Sequence, residues 1–224
     1  MGQKNRQHYV PKFYLRNFSN TEKSINTYNL ANEKYIENAS IKDMCQKNNF
    51  YGADNQMETF LDKNIERKAS IIIAKILKTN EFPQNFEDHI HLMSFLLVSE
   101  ARNLKSADSS DKMVDYMYKK LMQGDPEFRE SGIDLDSFKI GMEQPANLNI
   151  QIALKSVPSL LDLSPILLVE KTGARKFITS DNPLIRYNPF YLKNNYPGGF
   201  GYATRGLQLF FPISHDKCIL LYDS

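Results

Sequence analysis

The chain has 224 residues, of which 42% are hydrophobic and 24% charged, and its net charge is +2, a profile typical of an ordinary soluble protein. No apolar run approaches the roughly 18 residues of a membrane-spanning helix, residues 1–6 contain no apolar signal core, and two cysteines are too few for a disulfide framework or a cysteine-based zinc site. We therefore expect a single cytoplasmic domain over residues 1–224 with no membrane partner.

The N-terminal part is predicted to form small elements. Pro11 is suited to the first turn of a short helix, because its fixed φ angle suits a helix start. Ser24–Asn29 and Lys34–Glu37 flank a four-residue turn and predict a β-hairpin. Residues 41–49 are ambiguous, and one helical turn is the expectation there.

The middle of the chain is predicted to be helical. Apolar residues recur at helical spacing from Gln56 to Lys78, and Pro83 separates this helix from a second over Phe86–Leu104. The second helix is apolar nearly all round at residues 92–98, so we expect it to be central and buried. Further helices are predicted over Ser109–Met122, Leu135–Met142 and Leu148–Leu161.

The C-terminal part changes to strand-forming sequence. Ile166–Glu170 and Lys176–Ser180 predict one hairpin, and Leu207–Phe211 with Cys218–Tyr222 a second pair of strands. The fold class is therefore α+β: a central bundle of about four to five helices, with β-hairpins contributed by the N-terminal and C-terminal segments. Because the last strand ends almost at the C-terminus, we expect an open sheet edge there, suited to oligomerisation or to a partner protein.

Charge is unevenly distributed along the chain. Residues 1–50 carry eight Lys/Arg against four acids, residues 51–145 twelve against seventeen, and residues 146–224 eight against five. If the two basic ends meet in space, they form a positive patch for a phosphate-bearing partner such as nucleic acid. The alternative is a scatter of solvated lysines with no shared function.

Three short segments resemble the hallmarks of one family. They are His8–Pro11 followed by Phe13–Leu15 and Phe18, the run Phe177–Leu184, and Phe211–Ser214 with Ile219–Leu221. In order and rough spacing the chain resembles a widespread, mostly bacterial family, domain of unknown function 4238. The resemblance brings no assigned reaction, but it implies a role in phage defence or in a toxin system. Members usually run longer, which implies that this chain lacks a C-terminal part or belongs to a short branch.

The opening segment combines aromatic, basic and histidine side chains without an acid. His8 is a candidate general acid or base, since the ordinary pKa of histidine lies near neutral pH. Arginine binds phosphate through paired hydrogen bonds, and an aromatic ring can stack on a base. The candidates for phosphate or substrate contact are Arg16, Arg102, Lys12, Tyr9 and Tyr14. The alternative is an N-terminal plug whose aromatic rings fill the core.

Asp181 is the only carboxylate among six cations between Lys171 and Arg205. It could orient His8 or bind a divalent metal such as magnesium, with Ser180 and Asn182 contacting substrate. Glu58 is a second candidate metal ligand, although a carboxylate near a helix start also gains from the helix dipole. Equally, Ser, Asp and Asn before a proline form turns that satisfy their own backbone.

From these features we predict a protein that acts on nucleic acid, most readily a nuclease. The alternative is a non-catalytic module that binds nucleic acid or protein through the same surface. The sequence leaves open whether the chain is an enzyme and which cofactor it would use.

Overall fold

The computed structural model describes residues 6–193 and 200–223, and its architecture is α+β. A group of helices from the middle of the chain packs against a four-stranded antiparallel sheet from the C-terminal part. Two small two-stranded sheets come from the N-terminal part. The predicted fold class is confirmed.

The N-terminal elements form two separate antiparallel pairs. Their bounds are β1 Arg6–His8, α1 Lys12–Arg16, β2 Ser24–Asn29, β3 Lys34–Ser40 and β4 Gln46–Asn48. β2 pairs with β3, as predicted, and β1 pairs with β4. Within residues 41–49, where one helical turn was expected, the N–H of Met44 bonds to the carbonyl of Ile41 in a single turn, and no helix forms. Cys45 and Asn49 on either side of β4 have positive φ angles, which a right-handed helix cannot include.

The first predicted helix is present as three consecutive segments. These are α2 Gln56–Phe60, a π-helical stretch Leu61–Glu66, and α3 Arg67–Thr79. Asn80 ends the helix in the left-handed conformation, with its N–H bonded to the carbonyl of Ile76.

The next two helices meet earlier than the periodicity predicts. α4 covers Phe86–Ala101 and α5 covers Leu104–Gly124. The predicted end of the second helix at residue 104 and the predicted start of the third at residue 109 are therefore wrong. Asn103 is the N-cap of α5, because its Oδ1 accepts a hydrogen bond from the backbone N–H of Ser106 at 2.8 Å. The centre of α4, residues 92–99, is buried, as predicted.

The remaining helices are short. Their bounds are α6 Pro126–Glu130, a 3₁₀ turn Leu135–Ser137, α7 Pro145–Ser156 and a second 3₁₀ turn Val157–Leu160. The helix predicted over residues 135–142 is wrong beyond its first turn. Asp111 and Asp115 of α5 accept hydrogen bonds from the backbone N–H groups of Met142 and Ile140, which hold this stretch along α5 in a non-helical conformation.

The C-terminal sheet has the order β5–β8–β7–β6 and is antiparallel throughout. Its strands, with one intervening helix, are β5 Ser164–Val169, β6 Ile185–Tyr187, α8 Pro189–Lys193, β7 Gln208–Pro212 and β8 Lys217–Tyr222. The predicted pairing of β7 with β8 is confirmed.

Two predictions about this sheet are wrong. Residues 176–180 form no strand, because the antiparallel partner of β5 is β8 rather than the segment that follows it. The last strand is not an edge strand, since β8 lies between β5 and β7. The last strand, which was expected to offer an open edge to a partner, is therefore paired on both sides. The outer strands of this sheet are β5 and β6.

One continuous apolar core joins the helices to the sheet. The ring of Phe95 in α4 contacts that of Phe211 in β7, with centroids 5.8 Å apart. Among the described residues, no helix combines the length and the apolar character needed to cross a membrane.

Candidate functional site

The three segments singled out in the sequence meet at Tyr14. This side chain is fully buried, and its hydroxyl donates to the carbonyl oxygen of Pro212 at 2.7 Å and lies 2.7 Å from Oγ1 of Thr179. Its ring also contacts the rings of Phe18 and Phe211. The short helix α1 is thus fixed between the 177–184 segment and strand β7, and the two basic ends of the chain do come together.

Burial removes the aromatic side chains from any contact with substrate. Tyr9 is 8% exposed and packs edge-on against Phe50, and Tyr14 has no exposed surface. Burial raises the pKa of both hydroxyls above the ordinary value for tyrosine. Neither ring presents a face for a nucleic-acid base, so the predicted stacking role is wrong. Both rings fill the core instead, as expected for the alternative of an N-terminal plug.

His8 remains accessible at the end of β1. Its side chain is half-buried, and Nε2 lies 3.1 Å from the carbonyl oxygen of Lys42. Because a carbonyl oxygen only accepts, Nε2 carries the hydrogen and a neutral ring keeps its lone pair on Nδ1. Desolvation by burial lowers the pKa of His8 below 6.5, which favours this neutral form near pH 7. Among the described residues, Nδ1 makes no hydrogen bond with the protein.

Charged side chains of both signs lie around this histidine. Lys12 and Arg16 lie four residues apart on α1, so both project from one face of the helix. The backbone of the exposed Lys42 contacts His8 directly. The charge of Lys12 lowers the pKa of His8, while those of Glu66 and Asp43 raise it. The imidazole therefore lies in a surface of mixed charge, in which Lys12 is the cation that acts on it.

Arg102 is fully buried, contrary to the role predicted for it. Its Nη1 donates to Oε1 of Glu66 at 2.6 Å, while its Nε and Nη2 have no hydrogen-bond partner among the described residues. Glu66 ends the π-helical stretch, so this ion pair links the start of α3 to the end of α4. A guanidinium without exposed surface cannot hold the phosphate of an incoming substrate. Arg102 is a structural residue in this conformation.

The candidate carboxylates lie apart from each other. The charge of Glu58 acts on Tyr51 and Arg102. The charge of Asp181 acts on Tyr9 and Cys45, where it adds to burial in raising the pKa of the Cys45 thiol to about 12. No three His, Cys, Asp or Glu side chains in the described ranges 6–193 and 200–223 form a group that could hold a metal ion. The residues proposed for magnesium therefore do not assemble into a ligand set.

Asp181 does not accompany His8 either. The charges that shift the pKa of His8 are those of Lys12, Glu66 and Asp43. Asp181 itself is exposed. The His8–Asp181 pair suggested by the sequence is not present in this geometry.

The segment around Asp181 forms the self-satisfying turn that was the alternative. Ser180 Oγ donates to the carbonyl oxygen of Asn182 at 2.8 Å and accepts from its backbone N–H at 3.1 Å. The side chain of Asn182 serves a second purpose, since its Oδ1 accepts from Nδ2 of Asn103 at 3.1 Å. This bond ties the segment to the junction between α4 and α5.

Comparison with known proteins identifies the family. A family model described as protein of unknown function (DUF4238) matches residues 6–224. The chain belongs to the DUF4238 family. No curated protein and no solved structure matches it. The description of the DUF4238 family names no activity, so any function has to be argued from the geometry.

One polar cluster of this DUF4238 member could not be found from the sequence. Glu100 accepts hydrogen bonds from Nε and Nη2 of Arg186, at 2.6 and 2.7 Å, and from the hydroxyl of Tyr202 at 2.7 Å. The partners lie 86 and 102 residues away in the chain. The only local signal is a carboxylate closing the apolar run of α4, which requires a partner or water.

Proposed function

We propose that this member of the DUF4238 family acts on nucleic acid as a nuclease, with His8 as its general base. The proposal rests on the state of the half-buried imidazole of His8. Its Nε2 donates to the carbonyl oxygen of Lys42, and its Nδ1 has no partner among the described residues. Its pKa is also lowered. The charge of the exposed Lys12 acts on this ring, and the exposed Arg16 lies four residues after Lys12 on α1.

Phosphodiester hydrolysis requires both features. A base must take a proton from the attacking oxygen, and positive charge must stabilise the negative charge that develops on the phosphate oxygens. Nδ1 of His8 is suited to accept the proton, from water or from a ribose 2′-hydroxyl. The attacking oxygen then bonds to phosphorus as the bond from phosphorus to the leaving oxygen breaks, and that oxygen takes a proton from solvent. The guanidinium of Arg16 is suited to hold two phosphate oxygens, with Lys12 as a second charge.

As an effector of this kind, the protein would work in the cytoplasm, where nucleic acid is accessible to it. A role in phage defence or as a toxin is compatible with cleavage of cellular or phage nucleic acid.

A cleavage assay tests the proposal. Wild type and His8→Asn are incubated with mixed RNA and DNA, with and without magnesium or manganese. Asparagine keeps an N–H donor for the Lys42 carbonyl but removes the base. The matched control is His89→Asn, because His89 is also half-buried and also has a pKa lowered by desolvation, yet it lies on α4.

We expect His8→Asn to lose cleavage by about 100-fold or more, the usual contribution of a general base, while His89→Asn cleaves like wild type. Melting temperatures show whether both variants fold. Equal cleavage by folded His8→Asn and wild type would remove His8 from the mechanism.

A non-catalytic binding module is the second candidate. It is favoured because Arg102 is buried and the charge of Asp181 does not act on His8, so the predicted catalytic groups do not form one accessible set. Binding that weakens steeply with salt, together with intact substrate at every metal condition, would support it.

A further inference from the structure

A separate open cavity lies where the end of α4, the first turns of α5, α7 and strand β6 meet. Its volume is about 410 Å³, which is within the range of small-molecule sites. The residues that line it include Glu100, Lys105, Ser109, Asn149, Asn182 and Arg186. None of these side chains belongs to the surface around His8.

The charge in this cavity is positive. Both carboxylate oxygens of Glu100 accept hydrogen bonds from Arg186, which neutralises that pair. Of the charged residues that line the cavity, this leaves the exposed Lys105 without an ion-pair partner among the described residues. An anionic group is the complementary ligand.

The amide oxygens of the asparagines in the wall already accept a hydrogen bond from the protein. Asn103 Oδ1 accepts from the backbone of Ser106, so its Nδ2 must donate, and Oδ1 of Asn182 is the acceptor of that donation. In the same way Asn149 Oδ1 accepts from the hydroxyl of Ser110 at 2.8 Å.

The donors in the wall are available by contrast. Nζ of Lys105, Oγ of Ser109 and the Nδ2 atoms of Asn149 and Asn182 make no hydrogen bond with any described residue. A ligand that brings acceptor oxygens and negative charge therefore matches these free donors and the charge of Lys105.

We propose that this cavity binds the phosphate group of a nucleotide. A phosphate monoester carries negative charge and three strong acceptor oxygens, which suit the ammonium, hydroxyl and amide donors. The apolar side chains of Ala101, Ile152 and Ala153 line the same cavity and leave a less polar surface for the nucleoside part. The phosphate belongs either to a free mononucleotide or to the end of a nucleic-acid strand. The proposal does not depend on His8 acting as a base.

Isothermal titration calorimetry tests this site with four probes: inorganic phosphate, adenosine 5′-monophosphate, and one short oligonucleotide with and without a 5′-phosphate. The variants are Lys105→Gln, which removes the charge, and Asn182→Asp, which keeps the acceptor for Asn103 but replaces the donor by a negative oxygen. Lys112→Gln is the matched control, since Lys112 is an exposed lysine on the same helix that pairs with Asp108 and does not line the cavity.

We expect the affinity for adenosine 5′-monophosphate to fall about 10-fold or more in Lys105→Gln and Asn182→Asp, as loss of a hydrogen bond to a charged group implies, and to stay unchanged in Lys112→Gln. Binding of the two small probes alone identifies a free nucleotide; binding that requires the 5′-phosphate on the oligonucleotide identifies a strand end. No binding by any probe, or equal losses in Lys105→Gln and Lys112→Gln, would overturn the proposal. Because His8→Asn should bind adenosine 5′-monophosphate like wild type, failure of the nuclease proposal is distinguishable from failure of this one.

Discussion

At Arg102 the protein buries a guanidinium that has one carboxylate partner. The side chain has no exposed surface, whereas that of Glu66 is 23% exposed. Removing a charge from water costs several kcal/mol, and the Glu66 carboxylate offsets part of that cost. The pair therefore affects stability most when one partner is removed, because the other charge then stays buried without its partner.

Glu66→Gln removes the hydrogen-bonded counter-charge of the buried guanidinium and leaves the smaller effect of Glu58, so we expect a loss of about 3 kcal/mol in the free energy of unfolding. Urea denaturation followed by circular dichroism measures it. The comparison variant is Asp62→Asn, which breaks the exposed pair with Arg67 and should cost less than about 1 kcal/mol. Equal losses of unfolding free energy in the two variants would show that the buried pair contributes no more to stability than the exposed one.

His8 shows how far residue-level reasoning from the sequence reaches. Its chemistry could be predicted, because any exposed histidine titrates near neutral pH. Its tautomer could not, since this depends on the carbonyl of Lys42, which lies 34 residues away in the chain. The roles predicted for Asp181 and Arg102 were wrong for the same reason, since only the folded structure shows which charged groups lie near each other.

At the scale of elements, α1 is too short to be stable alone, because a single helical turn does not repay its nucleation. It is held by tertiary contacts, and the hydroxyl of Tyr14 links it to Thr179 and Pro212. The position of Lys12 and Arg16 relative to His8 depends on this helix.

Tyr14→Phe removes that hydroxyl and leaves the Pro212 carbonyl without its donor. We expect a loss of about 1–3 kcal/mol in stability, the cost of an unsatisfied buried polar group. Tyr28→Phe is the control, because Tyr28 is 55% exposed on the N-terminal hairpin and should change stability by less than about 0.5 kcal/mol. Thermal denaturation gives both values, and a neutral Tyr14→Phe would refute the linking role of the hydroxyl.

Helices and local hairpins could be predicted from periodicity and turn residues, as the N-terminal hairpin and the helix over Gln56–Lys78 illustrate. The predictions failed where contacts between residues far apart in the chain determine the local structure. β5 pairs with the last strand of the chain instead of its neighbour, and two aspartates of α5 hold residues 140–142 out of a helix. Such contacts leave no trace in a local pattern.

At the scale of the whole molecule, three histidines share one property. His8, His89 and His215 all have their pKa lowered from 6.5, in each case chiefly by desolvation. Between the folded and unfolded pKa values the unfolded chain therefore binds more protons than the folded protein. Stability rises with pH across that interval.

We therefore expect the free energy of unfolding to be highest above pH 6.5 and to fall as the pH drops through the lowered pKa values of these histidines. Urea midpoints measured from pH 7.5 down to pH 5 test this. A variant with asparagine at residues 8, 89 and 215 should show a flatter profile over the same range. Stability that increases on acidification would contradict the assigned pKa directions.

The pH dependence of nucleic-acid cleavage tests the central claim most directly, because it reports the protonation state of the base. If neutral His8 takes the proton, kcat/KM should rise with pH through a pKa below 6.5 and level off by about pH 7, the range set by the lowered pKa of this group. His8→Asn should lack that ascending limb, and His89→Asn should keep it. No cleavage at any pH, or an identical profile in wild type and His8→Asn, would contradict the assignment of His8 as the general base.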